Sequence, residues 1–224
     1  MLDRFGRGEV PQDFDALTGE LEPVQAKGPM LMVGAADVWE WTGANGAGYG
    51  DPLTRDPAHV LWDIRAGRLD PAAARRLYGV VLTSDRDAVD ISATQAARTA
   101  ALAERLDAAT APQGEVTTVA PGISIRPIGG ELGVVERDGV PELFVSVTGR
   151  AVLGTVSGNF KEHCAVLERP TSEVGPEYVS PAGRAGEAMR YREFLCPVTG
   201  LRIDSEIVRP GEDMLNGVRL AYEH

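Results

Sequence analysis

The sequence predicts an α+β protein, with an N-terminal β segment and short helices followed by a β-rich half. Three observations carry this. Asp-Pro pairs at 56–57 and 70–71 each open a short amphipathic run, and glycines at 67 and 79 close them. An alanine-rich segment then runs to Ala111 and stops at Pro112-Gln113-Gly114. Beyond it the chain becomes short apolar runs punctuated by glycine. The break near residue 112 divides the chain into an expected domain of residues 1–111 and a second of residues 112–224.

In the first half, Val38-Trp39-Glu40-Trp41-Thr42 alternates like a half-buried strand. A glycine-rich stretch at 43–50 leads to Asp51-Pro52. Asp56 caps a helix with Pro57 at its first position and Val60, Leu61 and Ile64 as its apolar face. Asp70 and Pro71 repeat the device for a helix carrying Ala74 and Leu77. Val80-Val81-Leu82 reads as a short strand, and Asp90 caps a third helix to about residue 109. That helix presents only Ile91, Leu102 and Leu106 among alanines. So thin a stripe buries little apolar area, so the helix must rest on the β half or on another chain.

The second half predicts strands at Glu131–Glu136, Glu142–Val147, Ala151–Val156, Cys164–Glu168, Tyr191–Leu195 and Leu201–Val208. Asp138-Gly139 is a hairpin signal between the first two. Residues 173–187, with two prolines and three glycines, read as an exposed loop.

Composition excludes several functions. With 22 basic against 33 acidic residues the formal charge is −11, which disfavours phosphate-backbone binding and nucleic-acid partners. A hydrophobic share of 43% suits a globular chain, and no run approaches the ~20 apolar residues of a membrane span. The first residues lack the apolar core of a signal peptide, and two cysteines make no disulfide scaffold. A cytoplasmic protein is expected.

Catalytic motifs are equally sparse. A P-loop needs Lys and Ser/Thr after its glycines, whereas here Asp51 and Pro52 follow, so the stretch reads as a tight turn. Of the three histidines, His59 lies in a first helical turn, His224 is the last residue, and His163 adjoins Cys164. Strand neighbours point to opposite faces, which argues against a Cys–His dyad. No serine stands in a G-x-S-x-G elbow. No catalytic residue and no cofactor are expected on this chain.

One constellation has the shape of a metal site. Cys196-Pro197-Val198-Thr199-Gly200 follows the zinc-knuckle pattern C-P-x-C-G with Thr199 at the second thiolate. Ser146-Val147-Thr148-Gly149 follows C-x-C-G with hydroxyls at both. Structural zinc takes four Cys or His ligands, so Ser146, Thr148, Cys196 and Thr199 read as degenerate knuckle positions without metal. The β-rich half is then a zinc-ribbon-like module lacking its cysteines.

Two family resemblances follow from longer motifs. Residues ~20–110 resemble the C-terminal tail of hydantoinase B through Asn45-Gly46-Ala47-Gly48-Tyr49-Gly50-Asp51-Pro52-Leu53, Arg55-Asp56-Pro57 and Asp63-Ile64-Arg65-Ala66-Gly67. Ala73-Ala74-Arg75, Tyr78-Gly79-Val80-Val81-Leu82 and Asp90 with Ala93-Thr94 complete the set. Residues ~120–210 resemble the acetone carboxylase gamma subunit. That likeness rests on Pro127–Leu132, Phe160-Lys161-Glu162-His163 and Arg192-Glu193-Phe194-Leu195-Cys196-Pro197 with Gly200-Leu201. The gamma resemblance implies a four-cysteine zinc site, of which only Cys196 is kept.

Together these resemblances imply a non-catalytic small subunit of an acetone- or acetophenone-type carboxylase, which makes a β-keto acid from ketone and bicarbonate. They place ATP and a divalent metal on hydantoinase A-like and hydantoinase B-like large subunits, in a hetero-oligomer. An accessory subunit of an ATP-dependent hydantoinase or lactamase complex is the alternative within that reading. An independent regulatory binding protein and a stand-alone enzyme are further alternatives. Trp39, Trp41, Tyr49, Val60, Leu61 and Trp62 are the candidate docking residues, buried internally or against a large subunit.

Overall fold

A computed structural model describes residues 32–34, 48–174 and 189–220 of the chain. The chain divides into two units, Met1–Ala47 and Gly48–His224. In the first unit only residues 32–34 are described, and Met32 and Val33 are exposed there. The strand expected at 38–42, with Trp39 and Trp41, lies outside the described residues. So do most of the 173–187 loop and His224.

In the second unit the architecture is α+β. A 3₁₀ turn at Pro52–Thr54 precedes α1 (Pro57–Arg65), α2 (Pro71–Tyr78) and α3 (Ile91–Ala108). All three helices begin where their aspartates dictate. The Asp56 carboxylate accepts the Ala58 amide, Asp70 accepts those of Ala72 and Ala73, and Asp90 accepts that of Ala93. Val60, Ala74 and Val80 form a small buried cluster between α1 and α2, with Ile64, Leu69 and Tyr78 around it.

The expected strand at Val80–Leu82 does not form a ladder; Leu82 makes one isolated bridge to Val89. Its backbone groups are engaged elsewhere. Val80 donates to the Ala74 carbonyl, Val81 donates to the Thr94 hydroxyl, and the Val81 carbonyl accepts from Asp90.

Among the described residues seven strands follow, in two antiparallel sheets ordered β1-β2-β3-β4 and β5-β6-β7. The first holds β1 (Arg126–Gly129), β2 (Leu132–Arg137), β3 (Val140–Ser146) and β4 (Val152–Thr155). The second holds β5 (Ala165–Pro170), β6 (Arg190–Leu195) and β7 (Arg202–Val208). The β2–β3 hairpin turns at Asp138-Gly139, both left-handed at φ 54° and 80°, as a type I′ turn requires.

One core joins both sheets. Leu132, Val134, Phe144, Ala151 and Leu153 cluster with Phe160, Cys164, Phe194 and Cys196. The Phe144 and Phe160 rings meet edge to face at 5.7 Å. Helix α3 joins the β-rich part of the unit at two points. Thr110 pairs with Val166 of β5, and the Leu102 carbonyl and Leu106 side chain lie over Gly200. The thin apolar stripe of α3 therefore rests partly on the β half of its own chain, while Ile91 stays exposed.

Candidate functional site

The two expected knuckles are real turns, and they face each other. In the first, the Ser146 amide donates to the Ala151 carbonyl and the Arg150 amide donates back to Ser146. In the second, Cys196 donates to Leu201 and Gly200 donates back to Cys196. The bonding is the same residue for residue, and the fifth position is left-handed in both, at φ 55° for Arg150 and 75° for Gly200. The left-handed φ that Arg150 tolerates favours glycine at 200, and space requires it, because a Cβ would lie 2.5 Å from the Leu102 carbonyl oxygen.

In this backbone equivalence Ser146 stands where Cys196 does, and Gly149 stands where Thr199 does. Thr148 turns outward, where its amide and hydroxyl donate to the Glu131 carboxylate at 2.6 and 2.8 Å. The Ser146 hydroxyl and Cys196 thiol lie 3.2 Å apart and fully buried. Ser146 Oγ also accepts the Ala151 amide at 3.0 Å. Thr199 Oγ1 accepts the Leu201 amide, and its methyl group faces Gly149.

These residues do not fit the zinc that the gamma resemblance implies. Of the four positions, Cys196 offers a thiol, Ser146 and Thr199 offer hydroxyls already holding backbone amides, and Thr148 offers a hydroxyl turned out to Glu131. Zinc–sulfur and zinc–oxygen bonds of about 2.3 and 2.1 Å put tetrahedral neighbours about 3.6 Å apart, wider than the Ser146–Cys196 contact. Among the described residues no cluster of three or more His, Cys, Asp or Glu side chains could hold a metal.

A charge ladder crosses the second sheet, buried at Lys161, Arg192 and Glu206 and open at Glu168 and Asp204. Register places Arg192 of β6 directly between Glu168 of β5 and Glu206 of β7. Arg192 Nε reaches Glu168 and its Nη1 reaches Glu206, each at 3.0 Å, which raises the guanidinium's pKa against the opposing effect of burial. Lys161 Nζ sits 3.0 Å from both Glu206 and Asp204 and 4.6 Å from the centre of the Phe194 ring. On the other face of β6, Glu193 pairs with Arg169. Arg192, Glu193 and Lys161 belong to the sequence motifs. Asp204 and Glu206 were missed, because pairing across strands depends on register and not on spacing along the chain.

The buried Asp51 is the third feature. Its carboxylate accepts the Leu53 amide, the Arg105 side chain at 2.6 Å and the Arg202 amide at 2.8 Å. Arg202 in turn donates to the Gly50 carbonyl and the Tyr191 hydroxyl. A cavity of about 350 Å³ opens here, lined by Tyr49, Gly129, Phe160, Arg202, Asp204 and Ser205 among others. Its charged side chains are already engaged, Arg202 as above and Asp204 by Lys161.

The docking candidates separate. Val60 is wholly buried in the helical cluster and Leu61 is half-buried. Trp62 is 56% exposed beneath the Arg68 guanidinium, and Tyr49 is 83% exposed with its hydroxyl on the Gly130 amide. His59 and His163 are exposed, whereas Cys164 is buried at the end of a 3₁₀ turn over Phe160–His163. Burial raises the Cys164 thiol's pKa, reinforced by Cys196 and Asp204 and opposed by Lys161. No helix among the described residues is long and apolar enough to cross a membrane.

No curated protein matches the chain. The span from Ile123 to Glu223, which holds both sheets, both turns and the charge ladder, matches the model of one family. That family is the acetone carboxylase gamma subunit, and it is the one to which residues 123–223 are similar.

Proposed function

We propose that this chain is a non-catalytic accessory subunit of an ATP-dependent ketone carboxylase of the acetone or acetophenone type. The observation that carries the reading is the gamma subunit family match over residues 123–223. In this reading residues 112–224 are the gamma-like domain and residues 1–111 dock it, as a hydantoinase B tail would. Hydantoinase A-like and B-like large subunits bind ATP and a divalent metal and perform the chemistry in a cytoplasmic hetero-oligomer.

The described residues support a structural role. Both cations of the ladder are paired with carboxylates, the cavity's charged side chains are internally paired, and both cysteines are buried. Exposed Trp62 and Tyr49 supply aromatic anchors of the kind that dominate subunit interfaces. The test is purification of the tagged chain from its native host with quantitative mass spectrometry. Two large carboxylase-type chains in fixed ratio are expected. Recovery of the chain alone would make it an independent binding protein.

A further inference from the structure

We propose that the two facing turns form a metal-free clasp in which Gly149 and Cys196 are a size-matched pair, the thiol occupying the space of a missing side chain. A Cβ built on Gly149 would lie 2.4 Å from Cys196 Sγ, 3.1 Å from Ser146 Oγ and 3.1 Å from the Thr199 methyl carbon. The Gly149 backbone is not left-handed, so its conformation alone does not demand glycine. What excludes a side chain is the facing turn. The closest obstacle is the sulfur of a fully buried cysteine, held by the Ser146 hydroxyl and unable to swing into solvent.

The clasp thus inverts the design of a knuckle. There, ligands from two turns are held apart by the ion between them. Here the two turns meet directly, and a thiol–hydroxyl hydrogen bond lies between them. The inference is independent of which complex the chain serves, since it rests only on contacts inside residues 146–201.

The test is a double-mutant cycle on the full chain, read as urea unfolding midpoints for Gly149→Ala, Cys196→Ala and the double variant. Gly149→Ala alone should lower the midpoint by about 1 M, the scale on which overpacking moves a small domain. Adding Cys196→Ala should restore stability, so that the double variant is more stable than Gly149→Ala. Should Gly149→Ala fail to fold, a folded double variant gives the same support. Additive losses, or a double variant that stays unfolded while Cys196→Ala folds, would overturn the pairing. Titration of the wild-type chain with cobalt(II) checks the metal-free centre. It should give no thiolate-to-cobalt absorption, and a band saturating at one equivalent would refute the clasp.

Discussion

The buried Asp51 carboxylate pairs with the half-buried Arg105 at 2.6 Å, and the same Asp51 oxygen also accepts the Arg202 amide at 2.8 Å. A single carboxylate therefore links the start of the helical segment, the end of α3 and the first residue of β7. Replacing Asp51 by alanine leaves the Arg105 charge and a buried amide without their partner. A loss of about 3 kcal/mol is expected, the scale for breaking a buried pair. Urea denaturation checks it; a loss under about 1 kcal/mol, the value of an exposed pair, would show the contact is peripheral.

Glu206 is the shared anion of the charge ladder, paired with both Lys161 and Arg192. Glu206→Gln keeps the shape and removes the charge, leaving Lys161 to Asp204 and Arg192 to Glu168, both partly exposed. It should cost about 2 kcal/mol, the scale of hydrogen bonds to charged groups, whereas Arg137→Ala, at an exposed pair with Glu142, should cost less than about 1 kcal/mol. Equal effects of the two substitutions in thermal unfolding would contradict the ladder.

Much of this fold was legible because its signals are local. Asp56, Asp70 and Asp90 cap helices from sequence alone, and Asp138-Gly139 turns a hairpin wherever strands flank it. Strand β1 was not read from periodicity, since Pro127 and Gly129 break the apolar alternation and its pairing comes entirely from β2. The turns were legible as turns. The outward turn of Thr148 was not, because its partner Glu131 lies 17 residues away. Asp51 read only as the end of a tight turn; its partners lie 54 and 151 residues away.

Cys164 predicts an alkaline limit to stability. Its folded pKa is raised, so the folded state keeps the proton that the unfolded thiol releases above about pH 8.5. Stability contributed by this group is complete below that pH and falls as pH rises, by about 1.4 kcal/mol per unit. Cys164→Ala should flatten the alkaline slope whatever it does to the plateau. An unchanged slope in unfolding free energy against pH would rule Cys164 out as the cause. Both thiols should also resist a thiol reagent in the native protein and react together on unfolding.

Trp62 distinguishes docking from packing. Its ring is largely exposed, so Trp62→Ala should leave the isolated chain's unfolding midpoint nearly unchanged. In the proposed complex it should weaken association by about 2 kcal/mol, roughly thirtyfold, as truncation of an aromatic anchor does. Trp39→Ala and Trp41→Ala are expected to release the subunit or unfold its first half. Full retention of all three variants by the large subunits, measured by surface-immobilised binding, would place the interface elsewhere.

Labelled bicarbonate tests whether this chain serves a ketone carboxylase, as proposed. The complex purified through a tag on this chain should incorporate the label into a β-keto acid when given ATP with acetone or acetophenone. Substoichiometric amounts of the chain should give proportionately less product, while the chain by itself should turn over no ATP. A purified complex that fixes no bicarbonate but opens hydantoins or lactams with ATP would contradict the account.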